Sequence, residues 1–176
     1  MPLIGDHAPE FHAMTTQGKI DFPADYKGSW VVLFSHPADF TPVCTTEFIA
    51  LSRMNETFES LNTKLIGLSI DSLHSHLGWI KSIEALNFNN EGKVKIPFPI
   101  IADISMNVAK KYGMLQTVAN TQTVRAVFII DPEGMIRTIL YYPMSTGRNI
   151  PEIIRILQSL QLNDKTHYST PANWQP

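Results

Sequence analysis

The only cysteine among the 176 residues, Cys44, lies in the stretch SHPADFTPVCTTEF, between an apolar run and the first residues of a predicted helix. A single cysteine more often fills a core than reacts. At the first turn of a helix, however, unpaired backbone N–H groups and the positive end of the helix dipole favour a thiolate over a thiol. The placement of Cys44 therefore predicts a nucleophilic or redox-active sulfur.

The residues around Cys44 predict a stiff and partly dry site. Pro37 and Pro42 fix φ at about −65° and donate no backbone hydrogen bond. Thr41 precedes the cysteine by three residues, so its hydroxyl can reach the sulfur across a first helical turn. Glu47 follows the cysteine by three residues and can hydrogen-bond back to the turn or pair with a base.

Length and composition predict one globular domain without a nucleic-acid or membrane partner. The chain is long enough for one well-buried core and short for two, with 44% apolar and 17% charged residues. A net charge of −2 gives no basic surface for nucleic acid, and no apolar run approaches the ~18 residues of a membrane-spanning helix. The N-terminus lacks the pattern of a signal peptide, and one cysteine excludes an intrachain disulfide and a cysteine-based zinc cluster. We expect a cytoplasmic protein.

Hydrophobic periodicity predicts alternating strands and helices through the first half of the chain. Residues 10–22 have the pattern of a hairpin of two short strands. Residues 30–35, WVVLFS, form a nearly continuous apolar run, which is typical of a strand covered on both faces. A helix follows Cys44, residues 64–70 form the next buried strand, and residues 72–86 form a second helix. In the first helix, the apolar residues at helical spacing are Phe48, Leu51, Phe58 and Leu61. The apolar face of the second helix is expected to consist of Leu73, Leu77, Ile80 and Ile83.

The second half of the chain begins with a predicted loop at residues 87–99, which are polar and interrupted by glycine and proline. SMNVAKKYGM predicts a short helix that ends at Gly113. The PEG sequence at 132–134 marks the turn of a hairpin. NIPEIIRILQSLQL predicts an amphipathic helix from Asn149. Together the elements predict an α/β domain with a central mixed sheet.

Several stretches of the chain resemble one known family. The spacing Pro37-x-x-x-Thr41-x-x-Cys44 is similar to the active-site motif of the peroxiredoxins, and SHPADFTPVCTTE resembles their one-cysteine, peroxiredoxin 6-like branch. VRAVFIIDPEG resembles the family stretch that carries the active-site arginine, here Arg125. YPMSTGRN and STPANW are also similar to that branch. The resemblance covers nearly the whole chain, and four residues at these spacings make it specific.

The resemblance implies an α/β, thioredoxin-like fold, in which helices flank a central mixed β-sheet and a β-hairpin lies at the N-terminus. We expect this peroxidase domain to cover residues 1–162 and a C-terminal tail to cover residues 163–176. The branch usually continues for several tens of residues as an arm that contacts a partner subunit. We expect this chain to lack that arm or to be a truncated form, with a weaker dimer as the consequence.

The resemblance also implies a thiol peroxidase that reduces hydrogen peroxide and alkyl hydroperoxides without a cofactor or a metal. Cys44 would be the nucleophile and would become a sulfenic acid. Arg125 and the backbone N–H of Cys44 would polarise the peroxide, and Arg125 would also bind the thiolate. Thr41 would bond both the sulfur and a peroxide oxygen, and Pro37 would shield the site from water. Because the chain has no second cysteine, an external thiol of the glutathione or thioredoxin type would reduce the sulfenic acid.

His36 and Arg148 are further candidates, each with two open interpretations. His36 could contact Cys44 or be a half-buried structural histidine. Arg148 could be a second positive charge near the site or a cap on the following helix. His74 and His76 are two residues apart on a predicted helix and do not share a face, so we expect solvated surface there and no metal pair.

The last predicted strand, MIRTILYYPMSTG, is rich in β-branched and aromatic residues and could form a sheet edge. Such an edge is a liability unless it is covered, and we expect a homodimer that pairs these strands across a two-fold axis. Tyr141 and Tyr142 are expected to be packing or interface residues rather than catalysts. A phospholipase element of the GxSxG type, found in some members of the branch, is not expected, because YKGSWVVLF lacks its glycines.

Two other functions compete with the peroxidase. A non-catalytic redox sensor or a chaperone-like scaffold could use the same fold, although neither needs Arg125, Thr41 and Pro37. A disulfide reductase of the thioredoxin type needs Cys-x-x-Cys and is excluded by the sequence VCTT.

Overall fold

The computed structural model describes residues 1–115 and 121–176, and within them one seven-stranded mixed sheet lies between helices. The strands are β1 Phe11–Thr15, β2 Gly18–Phe22, β3 Trp30–Ser35, β4 Thr63–Ser69, β5 Ile100–Ala102, β6 Arg125–Ile130 and β7 Ile136–Tyr142. The helices are α1 Pro42–Arg53, α2 Asn55–Ser60, α3 Leu73–Ala85, α4 Asn107–Tyr112 and α5 Ile150–Thr166. The predicted α/β class, the mixed sheet and the N-terminal hairpin are confirmed.

The sheet has the order β2-β1-β5-β4-β3-β6-β7. β3 and β5 are parallel to β4, and the remaining pairs are antiparallel. β3 is therefore a central strand, and all six of its residues are buried. This agrees with the continuous apolar run in the sequence, because a strand covered on both faces has no solvent side to occupy with polar residues.

The two faces of the sheet contact separate cores. Trp30, Val32 and Phe34 of β3 belong to a core that α1, α3 and α5 complete, whereas Val31 and Leu33 belong to a core on the opposite face. In the first core, the side chains that the helices contribute include Phe48, Trp79, Ile83, Ile153 and Leu157. The second includes from α4 and the hairpin Val108, Tyr112, Phe11 and Phe22. Burial of each large side chain stabilises the fold by about 1.5–3 kcal/mol, so α1 is firmly packed against the sheet.

The predicted apolar face of α3 is correct at Ile83, which is buried, and at Ile80, which packs against the core, but it is wrong at Leu77. The buried residues of this helix are His76, Trp79 and Ile83, whereas Leu77 is 40% exposed and Leu73 is only half-buried. The prediction treated His76 as polar surface, and this displaced the predicted face around the helix from the buried one.

Three further features differ from the sequence predictions. The predicted helix after Cys44 is interrupted at Met54, where φ is −97° and ψ is 5°, and continues as α2. α5 extends to Thr166, four residues beyond the predicted end of the last helix. The short strand β5 was not predicted, because three residues between a proline and an aspartate give no periodicity.

None of the helices in the described ranges is both long and apolar enough to span a bilayer.

Candidate active site

Cys44 lies in the first turn of α1, as predicted, and it is 0% exposed. The helix begins after Thr41, whose φ of −105° and ψ of 148° are extended. A residue before a proline is restricted to this region, so Pro42 fixes the point where the helix starts. The Thr45 N–H donates to Thr41 O at 3.0 Å and closes the first turn. The sequence thereby places the sulfur between the helix and the sheet.

Arg125, the first residue of β6, reaches the sulfur from the sheet. Its Nη1 lies 3.2 Å from Cys44 Sγ and also donates to Glu47 Oε2 at 2.8 Å. Its Nε and Nη2 both donate to the carbonyl oxygen of Met144, at 2.9 and 2.8 Å. The side chain is buried, so the guanidinium is held in one orientation by partners on α1 and on the β7–α5 loop.

Arg148 and Glu47 form a second part of the same cluster. The Arg148 backbone N–H and Nε donate to Glu47 Oε1 at 2.8 and 2.9 Å, and Nη2 donates to Oε2 at 2.7 Å. Its Nη1 donates to the carbonyl oxygens of Ser35 and Ala126. Arg148 is therefore a positive charge beside the site rather than a cap on α5, since Asn149 accepts from Glu152 at that helix start.

The charges in this buried cluster are not balanced without the sulfur. Arg125 and Arg148 carry two positive charges and Glu47 carries one negative charge, so an ionised Cys44 would bring the sum to zero. Burial raises the pKa of Glu47, but the charge and hydrogen bonds of Arg148 and the charge of Arg125 lower it further, to below the ordinary value. Glu47 is therefore ionised at neutral pH, and it fixes both guanidinium groups by charge-assisted hydrogen bonds.

In the structure, the Thr41 hydroxyl donates to a backbone carbonyl oxygen and not, as had been predicted, to the sulfur. Thr41 Oγ1 donates to the carbonyl oxygen of Ala38 at 2.9 Å. A hydroxyl has one proton, so it cannot donate to Cys44 at the same time. Pro37 is buried and lies in the segment that leads from β3 to α1.

His36 is fully buried, and its partner is an aspartate rather than Cys44. His36 Nε2 lies 2.8 Å from Asp39 Oδ1, and His76 Nδ1 lies 2.8 Å from Asp39 Oδ2. His36 and His76 are both 0% exposed and Asp39 is buried. The expectation that His76 is solvated surface is wrong, because both of its ring nitrogens have partners inside the protein. His74 is exposed, as expected.

The Asp39 cluster is the only group of three or more metal-ligating side chains close enough to share an ion within the described residues, with ligand atoms within 4.8 Å of one another. Its nitrogen–oxygen distances of 2.8 Å are those of hydrogen bonds. Two ligands of a tetrahedral zinc ion, each at about 2.1 Å, would be about 3.4 Å apart. The cluster as it stands is therefore bonded through protons.

Sequence reasoning missed two functional groups of this region. The Met144 carbonyl orients Arg125. Because every residue has a backbone carbonyl, the sequence does not indicate which one will accept these hydrogen bonds. Asp39 follows His36 by three residues. At this spacing a carboxylate and an imidazole can form a hydrogen bond, so the His36–Asp39 contact could have been predicted from the sequence. The link to His76 depends on the packing of α3 and could not be seen locally.

Comparison with known proteins identifies close relatives. A family model described as the AhpC/TSA family matches residues 4–139. A peroxiredoxin of Methanosarcina mazei is 64% identical, with 100% of this chain and 81% of the relative covered. A peroxiredoxin of Aquifex aeolicus is 52% identical, with 100% and 78% covered.

Two solved structures are similar over the whole chain. A cysteine-to-serine mutant of peroxiredoxin 6 of Arenicola marina has a TM-score of 0.91 and 40% identity, with 100% of this chain and 81% of that chain covered. A yeast mitochondrial one-cysteine peroxiredoxin, described with a thiol resolving mechanism through glutathione and thioredoxin systems, has a TM-score of 0.90 and 46% identity, with 100% and 84% covered.

Proposed function

The chain belongs to the AhpC/TSA family and is a thiol-dependent peroxidase with the thioredoxin-like peroxiredoxin fold, and we propose that it reduces hydrogen peroxide and alkyl hydroperoxides at Cys44. The observation that carries the proposal is the 3.2 Å contact between Arg125 Nη1 and Cys44 Sγ. It places a fixed cation beside the chain's single thiol, where the reaction needs it.

The proposed reaction is a two-electron displacement at oxygen. The Cys44 thiolate forms a bond to one peroxide oxygen, and the O–O bond breaks with its electron pair moving to the other oxygen. The departing hydroxide or alkoxide takes up a proton and leaves as water or alcohol. The sulfur is oxidised to a sulfenic acid and the peroxide is reduced.

Ionisation of the thiol is a minor part of the rate enhancement that this reaction needs. A free cysteine with a pKa of ~8.5 is about 7% thiolate at pH 7.4, so complete ionisation gains at most ~14-fold. A preorganised donor aimed at the oxygen where charge develops contributes ~10²–10³. Most of the rate enhancement must therefore come from donors such as Arg125.

The hydrogen-bond inventory of Arg125 leaves a donor for the substrate. A guanidinium has five N–H groups. One on Nε and one on Nη2 go to Met144 O, and two on Nη1 go to Cys44 Sγ and Glu47 Oε2. We assign the second N–H of Nη2 to the bound peroxide, because it belongs to the same rigid fork as the group that contacts the sulfur.

Thr41 has a corrected role in this proposal. Its hydroxyl donates to Ala38 O, but the hydroxyl oxygen keeps lone pairs that accept a hydrogen bond. We assign it as the acceptor for the peroxide O–H, which would orient the attacked oxygen toward Cys44. The apolar groove that borders Thr41 and Pro42, lined also by Phe40, Leu86 and Phe88, can receive the hydrocarbon part of an alkyl hydroperoxide.

The sulfenic acid must be reduced by a thiol from outside these 176 residues, since Cys44 is the only cysteine in them. The similar yeast protein is described with glutathione and thioredoxin systems, and we propose a reductant of one of these types here. A reduced compartment such as the cytoplasm suits this chemistry, and we propose that location.

Steady-state turnover tests the proposal against the alternative of a redox sensor or scaffold. We expect the wild type to consume many equivalents of peroxide per subunit when glutathione or a thioredoxin system is present, and Cys44→Ser to consume none above background. A sensor that no thiol recycles would stop after the one to three equivalents that oxidise a single thiol as far as the sulfonic acid. Consumption that stops there with every thiol offered would therefore refute the enzyme and favour the sensor.

We also propose that the chain forms a homodimer through β7. This strand is at one edge of the sheet, where its outer backbone N–H and C=O groups face away from β6. Five of its seven residues are half-buried, and Tyr141 is exposed. A second copy related by a two-fold axis would pair with this edge and extend the sheet.

A further inference from the structure

His76 has a hydrogen-bond partner at each ring nitrogen, and the proton between it and Asp39 belongs either to the imidazole or to the carboxylate. His76 Nε2 lies 3.1 Å from the carbonyl oxygen of Ile101, which can only accept. Its Nδ1 lies 2.8 Å from Asp39 Oδ2. If Asp39 is ionised, both nitrogens face acceptors and both must carry a proton. The alternative is a neutral His76 that accepts a proton from a protonated Asp39.

The surroundings of Asp39 favour the ionised carboxylate. Apart from His76, it has a polar partner at each oxygen: His36 Nε2 lies 2.8 Å from Oδ1, and Ser75 Oγ donates to Oδ2 at 2.8 Å. Burial raises the pKa of Asp39, but the hydrogen bonds from His36 and His76 lower it to well below its usual range. A carboxylate with a further donor at each oxygen stays ionised, so the proton between it and His76 belongs to His76.

The other titratable groups near the pair agree with this assignment. Burial lowers the pKa of His36, so His36 is neutral and donates from Nε2, and its Nδ1 has no partner among the described residues. Asp71, which follows β4, accepts from the Asp39 backbone N–H at 3.0 Å and from Ser69 Oγ at 2.6 Å. A cation at His76 would thus be paired with the Asp39 carboxylate.

We propose that His76 is an imidazolium bound to ionised Asp39, and that this buried ion pair is a positioning device that fixes the Pro37–Thr41 segment beside Cys44. Asp39 lies inside that segment, and His76 belongs to α3, which packs on the sheet through Trp79 and Ile83. The pair therefore connects the loop that carries Pro37 and Thr41 to a helix that is packed in the core through Trp79 and Ile83. The positioning role rests on the proposed peroxidase function, whereas the proton assignment does not.

Nitrogen NMR of histidine-labelled wild-type protein tests the proton assignment without any activity measurement. At neutral pH we expect both ring nitrogens of His76 to be protonated, and His36 to show one protonated and one bare nitrogen. The spectrum of His76→Gln assigns the signals. A His76 with a bare Nδ1 at neutral pH would overturn the proposal, because Asp39 would then hold the proton.

Peroxide kinetics test the positioning role. His76→Gln keeps a side-chain donor but no charge, and we expect it to react with peroxide about ten- to hundredfold more slowly, since a misplacement of about 1 Å costs about 10²-fold. His74→Gln, an exposed change two residues away on the same helix, should match the wild type. A His76→Gln rate equal to that of His74→Gln would contradict the role.

The pH dependence separates positioning from general damage to the fold. In the wild type, the rate constant should decline at alkaline pH with the same midpoint at which NMR shows His76 losing its second ring proton. That declining limb should be absent in His76→Gln. Loss of the proton with no change in rate would overturn the proposal, even if the variants fold poorly. If the wild type has no peroxidase activity at all, the proposed function fails while the NMR result stands.

Discussion

Arg125 is the residue whose replacement should reduce the reaction rate most, apart from Cys44 itself. It is buried, it contacts the sulfur, and four of its five N–H groups are fixed by Cys44, Glu47 and Met144. We expect Arg125→Ala to slow peroxide reduction by about 10²–10³, the usual cost of a lost transition-state donor. Pre-steady-state kinetics with hydrogen peroxide measure the loss.

A matched control for this variant is Arg155→Ala, which removes an arginine that pairs with Glu152 on the surface of α5. Its rate should equal that of the wild type. The measurement should be repeated at a pH that ionises the thiol completely. Recovery of the Arg125→Ala rate under those conditions would mean that the arginine acts only on thiol ionisation, and the transition-state role would be withdrawn.

Glu47 should contribute stability that disappears in acid. Its folded pKa is below the usual value, so its contribution is complete above the unfolded pKa of ~4.3 and is lost as the pH falls through the folded pKa. At neutral pH we expect Glu47→Gln to lower the free energy of unfolding by about 3–5 kcal/mol, because two arginines stay buried without their anion. Urea denaturation measures the change.

The same denaturation series across pH checks the sign of the Glu47 prediction. The difference between wild type and Glu47→Gln should shrink as the pH falls below about 4.3. Glu152→Gln, which breaks a surface pair, should cost no more than about 1 kcal/mol at any pH. A Glu47→Gln deficit that grows in acid would contradict the linkage.

At the residue scale, the sequence predicted groups that act through their side-chain type. Cys44, Arg125, Glu47 and Arg148 meet in one buried cluster, and each is recognisable as a nucleophile, a cation or an anion. The direction of the Thr41 hydroxyl was not predictable, because a competing acceptor, the Ala38 carbonyl, arises from the local turn.

At the scale of elements, strong local patterns were enough for most of the fold. The apolar run of β3 and the PEG turn between β6 and β7 matched the structure, as did the start of α5 after Asn149. The buried face of α3 was predicted only in part, because His76 is buried only where Asp39 and Ile101 O satisfy both ring nitrogens. Such a face depends on tertiary partners and not on hydrophobic spacing.

At the scale of elements, we predict that the edge strand β7 forms the dimer interface. Thr138 is next to the central residue of the strand, so a two-fold axis through the strand would place the two Thr138 side chains near each other. We expect sedimentation to show a dimer at micromolar concentration, and Thr138→Lys to shift it toward monomer through like-charge repulsion. Ser60→Lys, on exposed α2 surface, is the control. A wild type that is only monomeric would refute the proposed edge pairing.

At the scale of the whole molecule, the fold isolates one thiol from every other thiol. Cys44 is 0% exposed at the start of a helix packed on the sheet, and a disulfide needs Cα atoms within about 7 Å. Two subunits should therefore not join through Cys44. With stoichiometric peroxide and no reductant we expect a trappable sulfenic acid, and with excess peroxide a gain of two or three oxygens on the Cys44 peptide by mass spectrometry.

A non-reducing gel is the complementary measurement for this prediction. Most of the protein should run as monomer after either treatment. A covalent dimer that forms in the wild type and is absent in Cys44→Ser would show instead that the sulfenic acid is resolved across subunits.

The central claim is that a fixed set of donors makes Cys44 far more reactive toward peroxide than a free thiol. The most direct measurement is the second-order rate constant of fully reduced protein with hydrogen peroxide, obtained by competition with a peroxidase of known rate. We expect a rate at least ~10² above that of a free thiol at equal ionisation, and no reaction for Cys44→Ser. A wild-type rate equal to that of the free thiol would contradict the claim.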